Sequence, residues 1–247
     1  MNRRFSEYTT IAEIVTQYPQ TRRLLEELGL DYCCGGKTSL QDASQKAGLS
    51  CQEVLTKLNE KIDQSDSKES PPKNWMAVPM TELIRHIVDI HHTYLKENLP
   101  RLKNLSEKVY RAHMQHHGDM LQKLKQVLET LRIDLEMHLA KEEEILFPLI
   151  REMESFANNQ GPRPAVHCGT IQNPIQQMEY EHQSAGELLG QMRKITSDYQ
   201  LPADACRSFQ AFYEGLQDLE QDLHEHIHLE NNILFPRALQ LERQKVS

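Results

Sequence analysis

The sequence predicts an all-α protein: a bundle of four long helices preceded by a small helical domain. Three observations carry that prediction. From about residue 79 onward the apolar residues recur at helical spacing over long stretches, with few strand patterns. All 12 histidines lie at or beyond His86, so the two parts of the chain are built for different work. Within the second part, two fifteen-residue stretches repeat one another.

The small domain is expected over residues 1–62. Leu24, Leu25 and Leu28 belong to one helix that stops at Gly29. Ser39-Leu40-Gln41-Asp42 and Ser50-Cys51-Gln52-Glu53 fit the capping-box pattern at two helix starts. Val54, Leu55, Leu58 and Ile62 then follow at helical spacing. Asp31-Tyr32-Cys33-Cys34-Gly35-Gly36 lies between helices. Residues 63–74, DQSDSKESPPKN, are polar with two prolines and read as a linker. Residues 75–247 form the bundle, with helices near 79–105, 118–153, 174–198 and 203–241. The joins hold Gly118, the run from Asn158 to Pro174, and Leu201-Pro202. Long helices with such joins pack as an antiparallel bundle.

With 247 residues, the chain can bury a real core in one large domain or two small ones. Its 36 acidic and 28 basic residues give a net charge of −8, which argues against a nucleic-acid surface. No stretch approaches the ~18 consecutive apolar residues of a membrane span, and the N-terminus shows no secretory signal. The expected setting is cytoplasmic. Five cysteines, an odd number, fit a reducing compartment better than a disulfide framework.

The repeat carries the chemistry. DLEMHLAKEEEILFP runs from Asp134 to Pro148, and DLHEHIHLENNILFP from Asp222 to Pro236. Eight of the fifteen positions are identical at an offset of 88. His138 matches His226, and Glu142 matches Glu230. His92 lies 46 residues before His138, and His182 lies 44 before His226. Each half therefore supplies one histidine and then His-x-x-x-Glu. Residues i and i+4 share a helix face about 6 Å apart, so each His–Glu pair reaches one metal centre. Asp134 and Asp222 extend the rows by a further turn, where an acid can accept a ring N–H. Four imidazoles and two bridging carboxylates leave open positions on a pair of six-coordinate metals, and they suit iron, manganese or zinc.

Neighbouring residues compete for these roles. The repeat leaves His91 and His92 unresolved. His224 and His228 lack counterparts in the first copy and read as surface residues. Glu143 and Glu144 likewise have no repeat partner. His113, His116 and His117 cluster at a helix junction. Ile145, Leu146 and Phe147, with Ile233, Leu234 and Phe235, read as core, and Pro148 and Pro236 are expected to kink or end their helices. Cys33 and Cys34 lack C-x-x-C spacing but place thiols in an exposed loop beside two glycines. Cys51 falls on an apolar stripe, and Cys168 and Cys206 show no partner pattern.

The His…His-x-x-x-Glu…His…His-x-x-x-Glu series resembles a hemerythrin-like di-iron bundle. Combined with DYCCGG, it is similar to the bacterial Repair of Iron Centers family. The resemblance runs from about Tyr8 to Leu241. Its motifs are DYCCGG, a helix ending in Asn98-Leu99-Pro100, HLAKEEEILFP, EYEHQSAGELL and HIHLENNILFP. It implies iron ligands at His92, His138, Glu142, His182, His226 and Glu230, and so selects His92 over His91. It further implies two iron ions with an oxo or hydroxo bridge. Glu181 and Asp134 fall where the family carries acids near iron, and Cys33 and Cys34 are the chemical groups of its N-terminal module. Oxygen-carrying hemerythrins have two histidines four apart on the third helix; Met178 stands four before His182 here. The implied function is repair of iron–sulfur clusters damaged by nitrosative or oxidative stress, with the damaged proteins as partners and nitric oxide or oxygen as ligand. Direct nitric oxide reduction and oxygen or redox sensing are the competing expectations, and a homodimer is compatible with any of them.

Overall fold

The computed structural model describes residues 5–65, 73–164 and 169–246. Cys168 and residues 66–72 of the expected linker lie outside them. Among the described residues there is no strand, only an isolated bridge between Thr10 and Ser39. The chain divides into two compact units, Met1–Pro79 with Ile227–Arg237, and Met80–His226 with Ala238–Ser247.

The first unit holds α1 (Ile11–Gln17), a 3-10 turn (Pro19–Thr21), α2 (Arg22–Glu27), α3 (Leu40–Lys46) and α4 (Cys51–Ser65). Thr10 starts α1 with a full capping box, its hydroxyl accepting from the Glu13 N–H while the Glu13 carboxylate accepts from the Thr10 N–H. Ser39 caps α3 through the Asp42 N–H. Gly29, at φ +67°, ends α2 in the left-handed conformation that a side chain disfavours. Ile11, Ile14, Leu25, Leu40, Leu58 and Ile62 are fully buried around Tyr32, and Ile227 joins the same cluster. The loop after α2 is pinned on α1: the Ala12 N–H donates to Gly36 O and the Ile11 N–H to Thr38 O. Asn232 Nδ2 donates to the Tyr32 and Cys33 carbonyls.

The second unit is the bundle. It holds α5 (Met80–His86), a π turn (Ile87–His92), α6 (Thr93–Lys141), a π turn (Glu142–Leu146), α7 (Phe147–Ala157), α8 (Gln172–Thr196) and α9 (Arg207–Leu229), whose last three residues fall in the first unit. From α9 the chain continues through a π turn (Glu230–Leu234) into α10 (Phe235–Leu241). His117, at φ −127° and ψ 16°, breaks α6 into two arms. Lys103 meets Glu129 and Lys96 meets Glu143, so these arms run antiparallel. Leu95, Leu99, Leu102, Leu124, Leu128, Leu131, Leu189, Phe209, Phe212, Leu216 and Leu219 form the continuous core of the four long segments.

Two expectations about helix ends are corrected. The first long helix does not stop near residue 105 or at Pro100; it continues to His117 with Pro100 inside it. Leu95, Leu99, Leu102 and Val109 stay buried along one face, and that packing outweighs the one backbone bond proline forfeits. Nor do Pro148 and Pro236 end their helices. Each lies just after a π turn, and Pro148 falls in the first turn of α7, where its missing N–H is not needed. Ile145, expected in the core, is 59% exposed, while Leu146 and Phe147 are buried.

Two glycines make opposite predictions. A Cβ at Gly36 would meet Tyr32 O at 2.6 Å and Asn232 Oδ1 at 2.7 Å, whereas one at Gly190 on α8 meets nothing within 4 Å. Gly36→Ala should cost about 1–3 kcal/mol through overpacking against backbone. Gly190→Ala should stabilise by about 0.5–1 kcal/mol through helix propensity. Denaturant titrations followed by circular dichroism check both signs.

Candidate metal centre

The candidate ligands cluster at the π turns. His92 closes the turn Ile87–His92, Glu142 opens Glu142–Leu146, and Glu230 opens Glu230–Leu234. His138 and His226 lie one helical turn before the two glutamates, and His182 lies within α8. A π turn inserts one extra residue into an α-helix and re-aims the side chains beside it, which is why such turns gather at functional sites. All six side chains are buried; Glu142, Glu230 and His92 have no exposed surface.

Their donor atoms form two groups. One is His92, Glu142, His226 and Glu230; the other is His138, Glu142, His182 and Glu230. Within each group the donor atoms lie within 4.8 Å of one another, and both groups share the same two glutamates. Glu142 Oε2 stands 3.4 Å from His92 Nε2 and also 3.4 Å from His138 Nε2. That is longer than a charge-assisted hydrogen bond of roughly 2.8 Å. His138 Nε2 and His182 Nε2 face each other at 3.0 Å. Two donors at right angles on one metal, each about 2.1 Å from it, stand about 3.0 Å apart. Burying two carboxylates with no exposure is costly without compensating positive charge. The residues therefore fit a metal, and nitrogen with carboxylate donors suits a hard or borderline ion such as iron.

Acids outside the ring set the histidine tautomers. His92 Nδ1 donates to Glu143 Oε1 at 2.7 Å, and His138 Nδ1 donates to Glu181 Oε2 at 2.8 Å. With the proton on Nδ1, a neutral ring turns its Nε2 lone pair toward the centre. Lysines hold both acids in turn, Lys96 on Glu143 and Lys141 on Glu181. Burial raises the Glu181 carboxyl, but hydrogen bonds from His138, Lys141 and Gln177 outweigh it and hold the group down at about 2. Glu143 is pulled below its usual range in the same way, by Lys96 and His92 against burial. The Phe147 ring stacks on His92, with centroids 5.6 Å apart.

Sequence reasoning placed some supporting residues differently. Asp134 is exposed, and the His138 ring N–H it was expected to receive goes to Glu181 instead. Its repeat counterpart Asp222 does accept a ring N–H, from His91 Nδ1 at 2.9 Å. His91 is buried beside His226, the two rings stacked with 7° between their planes. It is outside both donor groups. Glu143 was passed over because Asn231 occupies its repeat position; its partner His92 comes from another helix arm, a contact that no local spacing reveals. His228, expected at the surface, is 3% exposed. Its ring packs edge-on against Tyr32 in the first unit, and Asn232 lies 3.0 Å from its Nδ1.

The cysteine loop is not an open one. Cys33 is buried and Cys34 half-buried, with their sulfurs 3.8 Å apart. One Asp31 carboxylate gathers the N–H groups of Cys33, Cys34 and Gly35 at 2.9–3.0 Å, and this tight turn brings adjacent thiols to one side. Asp31, Cys33 and Cys34 form a third group of closely spaced donors. The Cys34 thiol, together with burial, pushes the Cys33 thiol well up. Cys51 is half-buried against the first unit's core.

The bundle and its inward histidines and glutamates define a hemerythrin-type protein: residues 83–238 match the hemerythrin HHE cation-binding domain, and residues 7–62 match a domain of unknown function, DUF542. The chain is 37% identical over 237 residues to the iron–sulfur cluster repair protein YtfE of Musicola paradisiaca, covering 94% of this chain and 97% of that one. Against the YtfE proteins of Edwardsiella ictaluri and Dickeya chrysanthemi the identities are 38% and 35%. Those matches cover 93% and 94% of this chain and 96% and 97% of the relatives. The chain belongs to this family of two-part hemerythrin-type iron–sulfur cluster repair proteins.

Glu181→Gln keeps the shape but gives up the charge that holds His138. Such supporting acids contribute about 10–100-fold in metal affinity. The variant should release metal to a competing chelator at correspondingly lower chelator concentration, with the helical content unchanged.

Proposed function

We propose that this protein rebuilds damaged iron–sulfur clusters, using iron held as a bridged pair by His92, His138, Glu142, His182, His226 and Glu230. The carrying observation is that two donor groups share both glutamates. A shared carboxylate with two oxygens is the natural bridge between two metal ions. Bound there, iron would supply redox and Lewis-acid chemistry among donors that are buried from solvent. The protein's part is to orient the rings: Glu143 and Glu181 keep Nδ1 protonated and Nε2 free to bind. Asp31, Cys33 and Cys34 are proposed as the group that passes iron to a damaged protein, in a cytoplasmic setting where thiols stay reduced.

A second reading, reduction of nitric oxide at the same centre, draws on a cavity of about 320 Å³ beside Glu143. Leu95, Leu99, Leu139 and Ala140 give it an apolar wall that suits an uncharged diatomic molecule, and Lys96, Glu136, Glu143 and Glu144 complete its lining. Sustained nitrous oxide formation with an electron donor present favours that reading over repair; a single-turnover burst does not.

The test uses anaerobically purified full-length protein. Wild type should carry about two irons per chain. Glu142→Leu and Glu230→Leu should each fall well below that and lose repair of a nitric-oxide-treated [4Fe–4S] enzyme. Iron retained in both variants overturns the ligand assignment. Cys33→Ser/Cys34→Ser should keep its iron and lose repair alone. Full repair by that double variant removes the thiols from the mechanism.

A further inference from the structure

A second cluster of chemical groups lies at the other end of the bundle, far along the chain from any candidate ligand. The bend of α6 at His117 places His113 and His117 opposite the segment that leads into α9. His113 Nε2 stands 3.3 Å from Cys206 Sγ. His117 Nε2 stands 2.8 Å from Asp204 Oδ1. Both rings lie against Phe209, with centroids 5.2 and 6.1 Å from its own. The four groups pair off two by two, and the histidine ring centroids are 6.3 Å apart. They do not converge on one point as a metal site must, and they are absent from the convergent donor groups found among the described residues.

We propose that Cys206 and His113 form a thiolate–imidazolium pair at the protein surface, a modification site that captures small disulfides by thiol–disulfide exchange.

The geometry supplies each requirement of that chemistry. Cys206 is exposed, so a small disulfide has access to it. It immediately precedes α9, a 23-residue helix, whose N-terminal dipole favours a negative charge there. His113 reaches it from a different helix arm and can take its proton. Asp204 on the same segment is engaged by His117, 2.8 Å from its Nε2. The hydrogen bond from His113, then the backbone N–H of Phe209, bring the thiol down to about 7. In the reaction the Cys206 thiolate attacks one sulfur of the disulfide. A new S–S bond forms, the old one breaks, and the departing thiolate takes a proton from the His113 imidazolium. The protein thiol is oxidised, half of the disulfide is reduced, and no further oxidant is needed. Cys33 is the natural contrast: buried, with its thiol pushed up rather than down.

The expected advantage is modest. At pH 7 a thiol titrating near 7 is about half ionised, against about 3% for an ordinary one, a gain of about 16-fold. Lower basicity weakens each thiolate about fivefold, which leaves about threefold.

The experiment uses the full chain with its metal bound. Iodoacetamide labelling is followed peptide by peptide from pH 5.5 to 9.5, and mixed-disulfide formation with oxidised glutathione is read at the same peptides. Cys206 should label with an inflection near pH 7 and take up glutathione. His113→Ala should raise that inflection toward the ordinary value near 8.5 and slow labelling at pH 7 by up to about threefold, while His117→Ala leaves it near 7. A wild-type inflection above pH 8.5 overturns the proposal without reference to any variant. So does an unchanged inflection in His113→Ala, or glutathione found on other cysteines and not on Cys206.

Discussion

Two glutamates with no exposed surface, Glu142 and Glu230, constrain more of this chain than any other feature. A buried carboxylate loses its hydration and must regain that energy from positive charge or hydrogen bonds. Beside Glu142 two imidazole nitrogens stand at 3.4 Å. That arrangement is a poor ion pair and a good ligand cage. The helices reflect it. Three π turns, each an interruption of regular backbone bonding, contain His92, Glu142 and Glu230. The leucine core along the arms of α6, α8 and α9 holds those irregular turns in register.

The acids around the cage extend the same logic outward. A ligand histidine needs one nitrogen protonated and the other bare. Glu143 and Glu181 each receive an Nδ1 proton and are each held by a lysine near solvent. The chain of charge thus runs from a solvated ammonium, through a half-buried carboxylate, to a buried ring. Each step inward is better compensated than it would be alone.

Legibility in the sequence followed the range of the interaction. The ligand pattern was readable because His-x-x-x-Glu is a within-helix spacing and occurs twice. The N-cap at Ser39 and the stop at Gly29 were readable for the same reason: each depends on residues within one turn. What could not be read were contacts between elements. Glu143 owes its role to a histidine 51 positions away, and Asp134 loses its expected role because α8 brings a better-placed acid. His228 shows no apolar signature, yet packing against Tyr32 buries it. Pro100 misled because breaker chemistry is local, whereas the leucine row that overrides it belongs to the core. Cys33 and Cys34 misled because adjacent residues diverge in regular structure. Asp31 imposes a turn in which they do not.

The third long helix bears on what the centre is for. Met178 is buried one turn before His182, where oxygen-carrying hemerythrins place a second histidine. A thioether there fills space but is a weak donor to a hard ion. Each donor group is left with two imidazoles and a share of two carboxylates. A symmetrical, nitrogen-poor set binds each ion less tightly than a crowded one and leaves positions on it open. For storing oxygen reversibly that is a defect, because an under-coordinated ion is easily lost. For a protein whose proposed task is to give iron up, it is the required compromise. On that proposal the carboxylates and their oriented rings would make the site specific enough to fill, and the missing nitrogen would keep it able to empty.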